Sequence, residues 1–587
     1  MHPLLPPALS VLALSICSHG APGDVEAGFV MNAGGSAGSS VYSAIPQSDG
    51  RVLVAGWFSS LGGVTRLNVG RTTAAGALES GFDPASFDAT AAAVRSLAVL
   101  ADGRILLAGE FTQVSGVTRN HVALVSASGV LDAAFNPGAN NWIYSTAVQP
   151  DGKILLGGTF TAAGGAARNR LVRLLADGSL DTAFNPGADN TVRVIMVQDD
   201  GKILLGGNFT TAGGAARNRL ARFHADGTLD TTFNPNADGA VYSIALLPDG
   251  KILVGGAFSN LGGSTPRARI ARLLPTGAVD ATFNPGANDN VRCMAVQTDG
   301  KVVLGGDFTT LAGAARSRIG RLLADNTLDT AFSTGASGVI YGLALQRDGR
   351  VLAGGGYSTF GSFARSDLAR LENNPATQSL TIPAPNRVQW LRGGASAEAR
   401  FVTFELSTNG GTVWTPLGNG SRIAGGWALT GLTLPASGQV RARARLHGGY
   451  GNASSTVEET LAPFTFTAQQ VWRQAHFGTP NATGLAADNA DPEKDGLENL
   501  VEFAFGRNPN VPDAAALPQW VLADDDYSLT FTRPANVSGI TYVAEYSTSM
   551  APGSWTPAVN YSTPPAYQFL APAVTQRLYL RVRVTVP

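Results

Sequence analysis

The chain has 587 residues, of which 71 are glycine and 32 proline, and only 14% are charged. That composition excludes coiled coils and collagen, and an apolar fraction of 44% excludes a disordered chain. A net charge of -1 offers no basic excess for nucleic acid or an acidic membrane, and the length suggests several domains.

The first predicted element is a secretory signal peptide over residues 1–20. Leu4 to Ile16 is a short apolar stretch, and Ser18-His19-Gly20 is a small-residue site before Ala21. Leu14-Ser15-Ile16-Cys17 offers a looser lipoprotein alternative. No later run reaches the ~18 apolar residues of a membrane span. Removing the signal leaves Cys293 as the remaining cysteine, so stability must come from packing and not from an internal disulfide.

A repeat follows. Asp-Gly pairs begin at Asp49, Asp102, Asp151, Asp200, Asp249, Asp299 and Asp348, at spacings of 53, 49, 49, 49, 50 and 49. In the fourth unit, Val192 to Gln198 alternates as a strand, Asp200-Gly201 is a tight turn, and Lys202 to Phe209 is a second strand. A Gly-rich loop, Thr210 to Ala216, leads to Leu220–Phe223 and to a short fourth strand ending at Phe233. Four strands in ~49 residues, repeated, predict β-propeller blades. The closing Leu-Asp-x-x-Phe element recurs from Leu78–Phe82 to Leu328–Phe332 but is missing after the last unit, and an extra copy, Val25–Phe29, precedes the first. The reading is an all-β, seven-bladed propeller over residues 24–374 whose N-terminal strand closes the last blade.

These units, such as "QPDGKILLGGTFT" and "RLLADGSLDTAFNPG", resemble the delta-60 repeat propellers of secreted bacterial proteins. The resemblance covers about 60% of the chain and implies a fold and a secreted location, with no established chemistry.

The second-to-third-strand loops each carry an arginine: Arg66, Arg119, Arg168, Arg217, Arg267, Arg316 and Arg365. Such a ring can grip an anionic polysaccharide through guanidinium forks, or staple each loop to the neighbouring blade's Asn-Pro-Gly loop through carbonyls or the recurring Asp. Arg170, Arg219, Arg269 and Arg318 form a second, partial set. Residues that break the repeat are Trp57, Trp142, His121, His224 and Tyr357; Trp142 stands in a loop where it can stack on a sugar or simply pack. The repeated Asp is explained by turn chemistry. No His pair has ligand spacing, and Gly34 to Gly38 matches a nucleophile elbow by letter only.

After Pro375 the period stops. Residues 378–463 and 516–587 alternate as two antiparallel β-sandwich modules of immunoglobulin or fibronectin type. Glu405-Leu-Ser-Thr precedes Trp414-Thr-Pro in one, and Glu545-Tyr-Ser-Thr precedes Trp555-Thr-Pro in the other. Their tryptophans read as core and their Arg pairs as solvated faces. Between them, residues 464–515 form a helical linker in which Thr467 caps a helix. Here Asp491, Glu493, Asp495, Leu497, Asn499 and Glu502 fall at positions 1, 3, 5, 7, 9 and 12 of an EF-hand-type loop, with Gly496 at position 6. This loop resembles those of dockerin-like and thrombospondin type 3-like modules, which implies structural calcium.

The expected protein is an extracellular or cell-surface, non-catalytic monomer whose propeller is a platform for a polysaccharide or a cell-surface protein. Neither nucleic acid nor a membrane span is expected. The alternatives are a propeller-based polysaccharide lyase or hydrolase, with His121, His224, Tyr357 and nearby acids clustered, and a purely structural adhesion protein.

Overall fold

The computed structural model describes residues 20–35, 38–84, 92–512, 517–523, 525–560, 564–573 and 577–586. Most of the signal segment, residues 1–19, lies outside them. The described chain is nearly all β, with propeller-type repeats in its N-terminal part, and it divides into two compact units.

The first unit holds residues up to Ser379 together with 391–402 and 443–460. Each repeat is a three-stranded antiparallel sheet. In the third, an inner strand Ile143–Val148 pairs with a middle strand Ile154–Gly158, which pairs with an outer strand Leu171–Leu174. Burial on both faces explains the apolar runs: these strands are fully buried. Alternate side chains meet those of the next repeat, as where Leu106 and Val122 join Ile143, Leu156 and Val172 in one cluster.

The expected short fourth strand is reduced to a single bridge, Leu180 to Leu174. Asp181 stops it, because its carboxylate folds back to accept the Ala183 amide at 3.2 Å. The Gly-rich loop holds a small ribbon of its own, Ala162–Ala163 on Ala166–Ala167. A glycine at or next to the end of each middle strand is sterically required. A Cβ on Gly158 would lie 2.0 Å from the Trp142 carbonyl oxygen, and one on Gly207 2.1 Å from that of Thr191. The N-terminal segment completes the last repeat: Val25 bridges Leu371, and the Glu372 amide donates to Asp24 O at 2.7 Å.

Residues 391–402 and 443–460, which the sequence reading assigns to the 378–463 sandwich, cluster instead with the repeats. Ser437–Tyr450 and Ser454–Thr465 are neighbouring strands, and residues 443–460 form the end of their hairpin. This finger lies along the inner strands. Ser455 bridges Ala98 in parallel, and the Thr146 amide and the Ser96 hydroxyl donate to Ala453 O at 3.2 and 2.7 Å. The amides of Leu97 and Met294 donate to Ser454 Oγ and Asn452 Oδ1 at 3.0 and 3.2 Å. Inner strands have no sheet neighbour on the axial side, so their polar groups need partners; the finger supplies them.

The second unit holds residues 380–390, 403–442 and 461–587. Helix α1, Ala468–Phe477, starts from a capping box made by Thr467 and Gln470, and helix α2, Asn499–Phe505, ends at Gly506 with φ 67°. Two antiparallel sheets, centred on Asp526–Thr532 with Ala566–Pro572 and on Thr541–Ser547 with Tyr579–Thr585, enclose Leu529, Phe531, Tyr542, Tyr567 and Phe569. Trp472 and Phe503 of the helices join that core.

Trp414 and Trp555 are not core. Each is partly exposed beneath a guanidinium, Arg441 at 4.3 Å and Arg581 at 3.9 Å, and each arginine bonds a glutamate, Glu405 at 2.6 Å and Glu545 at 2.8 Å. The two segments thus carry the same Glu-Arg-Trp stack.

Candidate functional site

The inner strand of every repeat contains a bulge near its start. Pairing shifts between Val41 and Ser43, between Val94 and Ser96, and correspondingly in each later repeat. The extra residue is Tyr42, Arg95, Tyr144, Arg193, Tyr242, Arg292 and Tyr341 in turn. A bulge redirects its side chain out of the sheet's alternation. Here the redirected side chains meet across repeats and make a ring of alternating tyrosine and arginine.

Arg95 lies 3.9 Å from the Tyr42 ring centroid and 5.8 Å from that of Tyr144. Arg193 is 5.3 Å from Tyr144 and 5.4 Å from Tyr242, and Arg292 is 5.3 Å from Tyr242 and 5.6 Å from Tyr341. Tyr42 and Tyr341 meet directly at 5.2 Å. These are cation–π and aromatic contacts between repeats. Tyr450, at the finger's end, touches Tyr42, Tyr144 and Tyr341 at 5.8, 6.5 and 6.4 Å. Burial pushes the Tyr42, Tyr144 and Tyr341 phenols above their usual range, with the nearby guanidiniums offsetting part of it, so they remain neutral donors.

The start of an inner strand opposes the end of the middle strand, so the residues just outside both belong to the same rim. Trp142 precedes Ile143 and is 42% exposed, its ring set edgewise to Tyr144 at 6.4 Å. Trp57 ends the first middle strand and is 38% exposed. At the same position later repeats place Glu110, Asn208 and Asp307, which accept from the ring arginines. Glu110 takes Arg95 Nη2 at 2.6 Å, Asn208 takes Arg193 Nε at 2.7 Å, and Asp307 takes Arg292 Nε at 2.9 Å. The site therefore offers neutral phenols, fixed guanidiniums and exposed indoles around one axis, a set suited to hydrogen-bonding and stacking on a polar ligand.

The predicted loop-arginine ring is not an open array. Arg66, Arg119, Arg168, Arg217, Arg267 and Arg365 are buried, and Arg316 nearly so. Each spends one nitrogen on the carbonyl before it and another on the closing turn of its repeat. Arg217 reaches Ala216 O at 2.8 Å and Thr231 O at 3.0 Å; Arg365 reaches Ala364 O and Ala27 O, both at 2.9 Å. The carbonyl acceptors lie in the Leu-Asp-x-x-Phe turn, and Arg66 also bonds the Asp83 carboxylate at 2.8 Å, in the Asp-Pro segment that stands where other repeats have Asn-Pro. Two residues on, Arg170, Arg219, Arg269 and Arg318 adopt φ between 64° and 72°, as do His121 (67°) and Asp367 (66°), while Asn68 has 62°.

A further arginine, unremarked in the sequence, ties one repeat to the next. Arg222 Nε bonds Asp230 at 2.8 Å, its Nη1 bonds Pro275 O of the following repeat at 2.6 Å, and its guanidinium lies 4.3 Å from the Phe233 ring centroid.

The proposed enzyme residues fall in separate repeats. His121 is buried in a loop, His224 is exposed at a turn, and Tyr357 is buried with its hydroxyl on Ala353 O at 2.6 Å. Cys293 is buried and free, and burial raises its thiol far above the usual range, which makes it inert.

In the second unit Asp491, Glu493 and Asp495 bring carboxylate oxygens within 4.8 Å of one another, the one such acidic, His or Cys cluster among the described residues. Asp491 is held by the Asp495 and Gly496 amides at 3.2 and 3.0 Å. Glu502 is fully buried on α2 and is not part of that cluster. The Asn499 amide donates to Leu485 O and Ala487 O, both at 2.7 Å, so it braces the preceding turn. Leu497 is held by its amide on Asp495 Oδ1 at 2.9 Å. These three carboxylates are hard donors of the kind calcium takes, short of the roughly six to eight oxygens it needs.

Comparison with known proteins places the repeats. The family model described as "Domain of unknown function (DUF5122) beta-propeller" matches residues 47–82, 100–135, 149–184, 198–233, 247–283 and 297–332. No curated protein sequence matches the chain. Among solved structures, a streptogramin B lyase is similar at 16% identity over 59% of this chain and 99% of that one, with a TM-score of 0.38. PorZ, a surface component of the type-IX secretion system of Porphyromonas gingivalis, is similar at 12% over 72% of this chain and 59% of that one, TM-score 0.33. YCF48 bound to D1 peptide is similar at 9% over 61% and 99%, TM-score 0.36. The segments that match the family model, spread between residues 47 and 332, cover less than half of the chain and are similar to the repeats of that β-propeller family.

Proposed function

We propose that this chain is a secreted, non-catalytic binding protein: a seven-bladed propeller of the delta-60 type that takes a polysaccharide at its axial ring. The observation that carries this reading is the alternation of Tyr42, Arg95, Tyr144, Arg193, Tyr242, Arg292 and Tyr341, with exposed Trp57 and Trp142 on the adjoining rim. Phenols and guanidiniums bond sugar hydroxyls, and indoles stack on sugar rings. The burial of His121 and Tyr357, with the Tyr357 hydroxyl spent on Ala353 O, supports binding over hydrolysis. The two C-terminal segments act as β-sandwich stalk modules, and Asp491, Glu493 and Asp495 hold a structural calcium with Glu502 as a fourth donor after a local shift. The protein works as an extracellular or cell-surface monomer.

The test is binding of the secreted chain to a polysaccharide array, with calcium and with chelator, and mass spectrometry of the bound sugars. Intact sugars are expected, with Trp142→Ala weakening binding roughly tenfold through one lost stacking contact. Chelation is expected to lower the melting temperature of the C-terminal modules and leave sugar binding unchanged. Cleaved sugars, or Trp142→Ala binding as the parent does, would refute the reading.

A further inference from the structure

The axial ring is chemically uneven. Arg95 faces Glu110, with Nε and Nη2 on the same carboxylate oxygen at 2.8 and 2.6 Å. Arg292 faces Asp307, at 2.9 Å from Nε and 2.7 Å from Nη2. At the same position, fifteen residues after the arginine, the fourth repeat has Asn208, and Arg193 meets only an amide oxygen there. An amide cannot cancel the charge. The guanidinium uses Nε for that bond, its one hydrogen bond among the described residues, and its Nη edge is left for another acceptor. Asp189, on the loop before this strand, gives its carboxylate to the Thr210 hydroxyl and amide and to the Thr211 amide at 2.5, 2.8 and 3.0 Å.

The surroundings favour an anion at this edge. Tyr144 and Tyr242 flank Arg193 on either side and limit its contact with water, which strengthens any charge-assisted bond it makes. Trp142 stands beside Tyr144. The finger's Tyr450 touches Tyr42, Tyr144 and Tyr341 and lies 5.6 Å from Arg95. Arg193 itself is partly exposed while Val192 and Val194 beside it are buried.

We infer that Arg193, flanked by Tyr144, Tyr242 and Trp142, is a subsite for one anionic substituent of a glycan, a uronate carboxylate or a sulfate ester, gripped by the free guanidinium edge. The inference rests on the axial reading above and adds the ligand's charge and the residue that selects it.

The experiment is calorimetric titration of the full secreted chain with trigalacturonate, its methyl ester and a sulfated trisaccharide. The parent protein is expected to bind an acidic sugar at least roughly tenfold more tightly than the ester, the scale of one charge-assisted bond. Whichever acidic sugar binds more tightly identifies the substituent. Asn208→Asp supplies the carboxylate that Arg95 and Arg292 already have, so it is expected to bring acid and ester to equal affinity with an unchanged circular dichroism spectrum. Arg193→Gln is expected to do the same, and Arg193→Lys to keep part of the preference. Equal binding of acid and ester by the parent would overturn the anionic subsite and leave the axial reading standing. If no sugar binds, the axial reading fails, and sulfate titration followed by tryptophan fluorescence decides the subsite alone. A saturable response lost in Asn208→Asp keeps it, and no response overturns it.

Discussion

Asp367 occupies the left-handed position that Asn68 fills in the first repeat, and it accepts the Tyr357 amide at 3.0 Å as Asn68 accepts that of Phe58 at 3.1 Å. Burial raises its carboxyl from 3.8 to about 6, although the Ser39 hydroxyl and the Tyr357 amide favour the charged form. A raised folded value means that the folded state holds its proton longer than the unfolded chain. Stability is therefore unaffected below about 3.8 and lost as pH rises to about 6, a cost on the order of 3 kcal/mol at neutral pH. Asp367→Asn is expected to raise the urea midpoint at pH 7 and to remove that slope; an unchanged midpoint between pH 4 and 8 would contradict the assignment. The loop arginines teach a related lesson. Their recurrence is plain in the sequence, but the acceptors they share are main-chain carbonyls, which carry no letter; Asp83, which Arg66 also bonds, is a local addition. Arg217→Ala is expected to cost about 2 kcal/mol by removing two charge-assisted bonds to part-buried carbonyls, with no effect on sugar binding.

At the scale of elements, the alternation of residues 437–446 is legible as a strand, and its destination is not. The finger is fixed by bonds to residues hundreds of positions away, such as the Ser43 hydroxyl on Ser454 at 2.8 Å. No local pattern encodes such a partner. The Tyr-Arg alternation was legible, but only by comparing one position across repeats, because along any one strand it reads as an ordinary polar break. The finger's tip requires glycine: at Gly451 φ is 57°, and a Cβ would sit 2.4 Å from Tyr242 O. Gly451→Ala is expected to lift the tip from the ring and raise hydrogen exchange at the Leu97, Thr146 and Met294 amides. Full protection in that variant would show that the finger does not hold these strands. His447, in the same finger, is partly buried near Arg445 and Arg400. Burial first, then those two charges, lowers it from 6.5 to about 3. The unfolded chain takes up this proton first, so the finger's contribution is present above pH 6.5 and declines as pH falls toward 3. Acid exchange measurements on residues 443–460 read this directly, and His447→Gln is expected to flatten the decline.

For the whole molecule, the N-terminal segment is a clasp. Arg370 pairs with Glu26 through Nη2 at 2.7 Å, and the Glu26 amide donates to Arg370 O at 2.9 Å. Deleting residues 21–29 is expected to expose the outer edge of Leu368–Leu371, lower cooperativity of unfolding and promote association through that edge. Size-exclusion and thermal melts of the deletion check this, and a monomer melting as the parent does would refute it. The missing closing element after the last repeat made this segment visible in the sequence, since an unmatched copy at one end answers a gap at the other. Tyr42 and Tyr341 are neighbours because an alternation of two kinds over an odd number of positions, here seven, cannot return to its start without one repeated letter. That single misfit abolishes the rotational equivalence of the repeats. It works as an index mark on a dial: Tyr450 finds its aromatic neighbours at one angular setting, so a nearly symmetric wheel acquires a fixed zero, and every other position around the axis, Arg193 included, acquires an address.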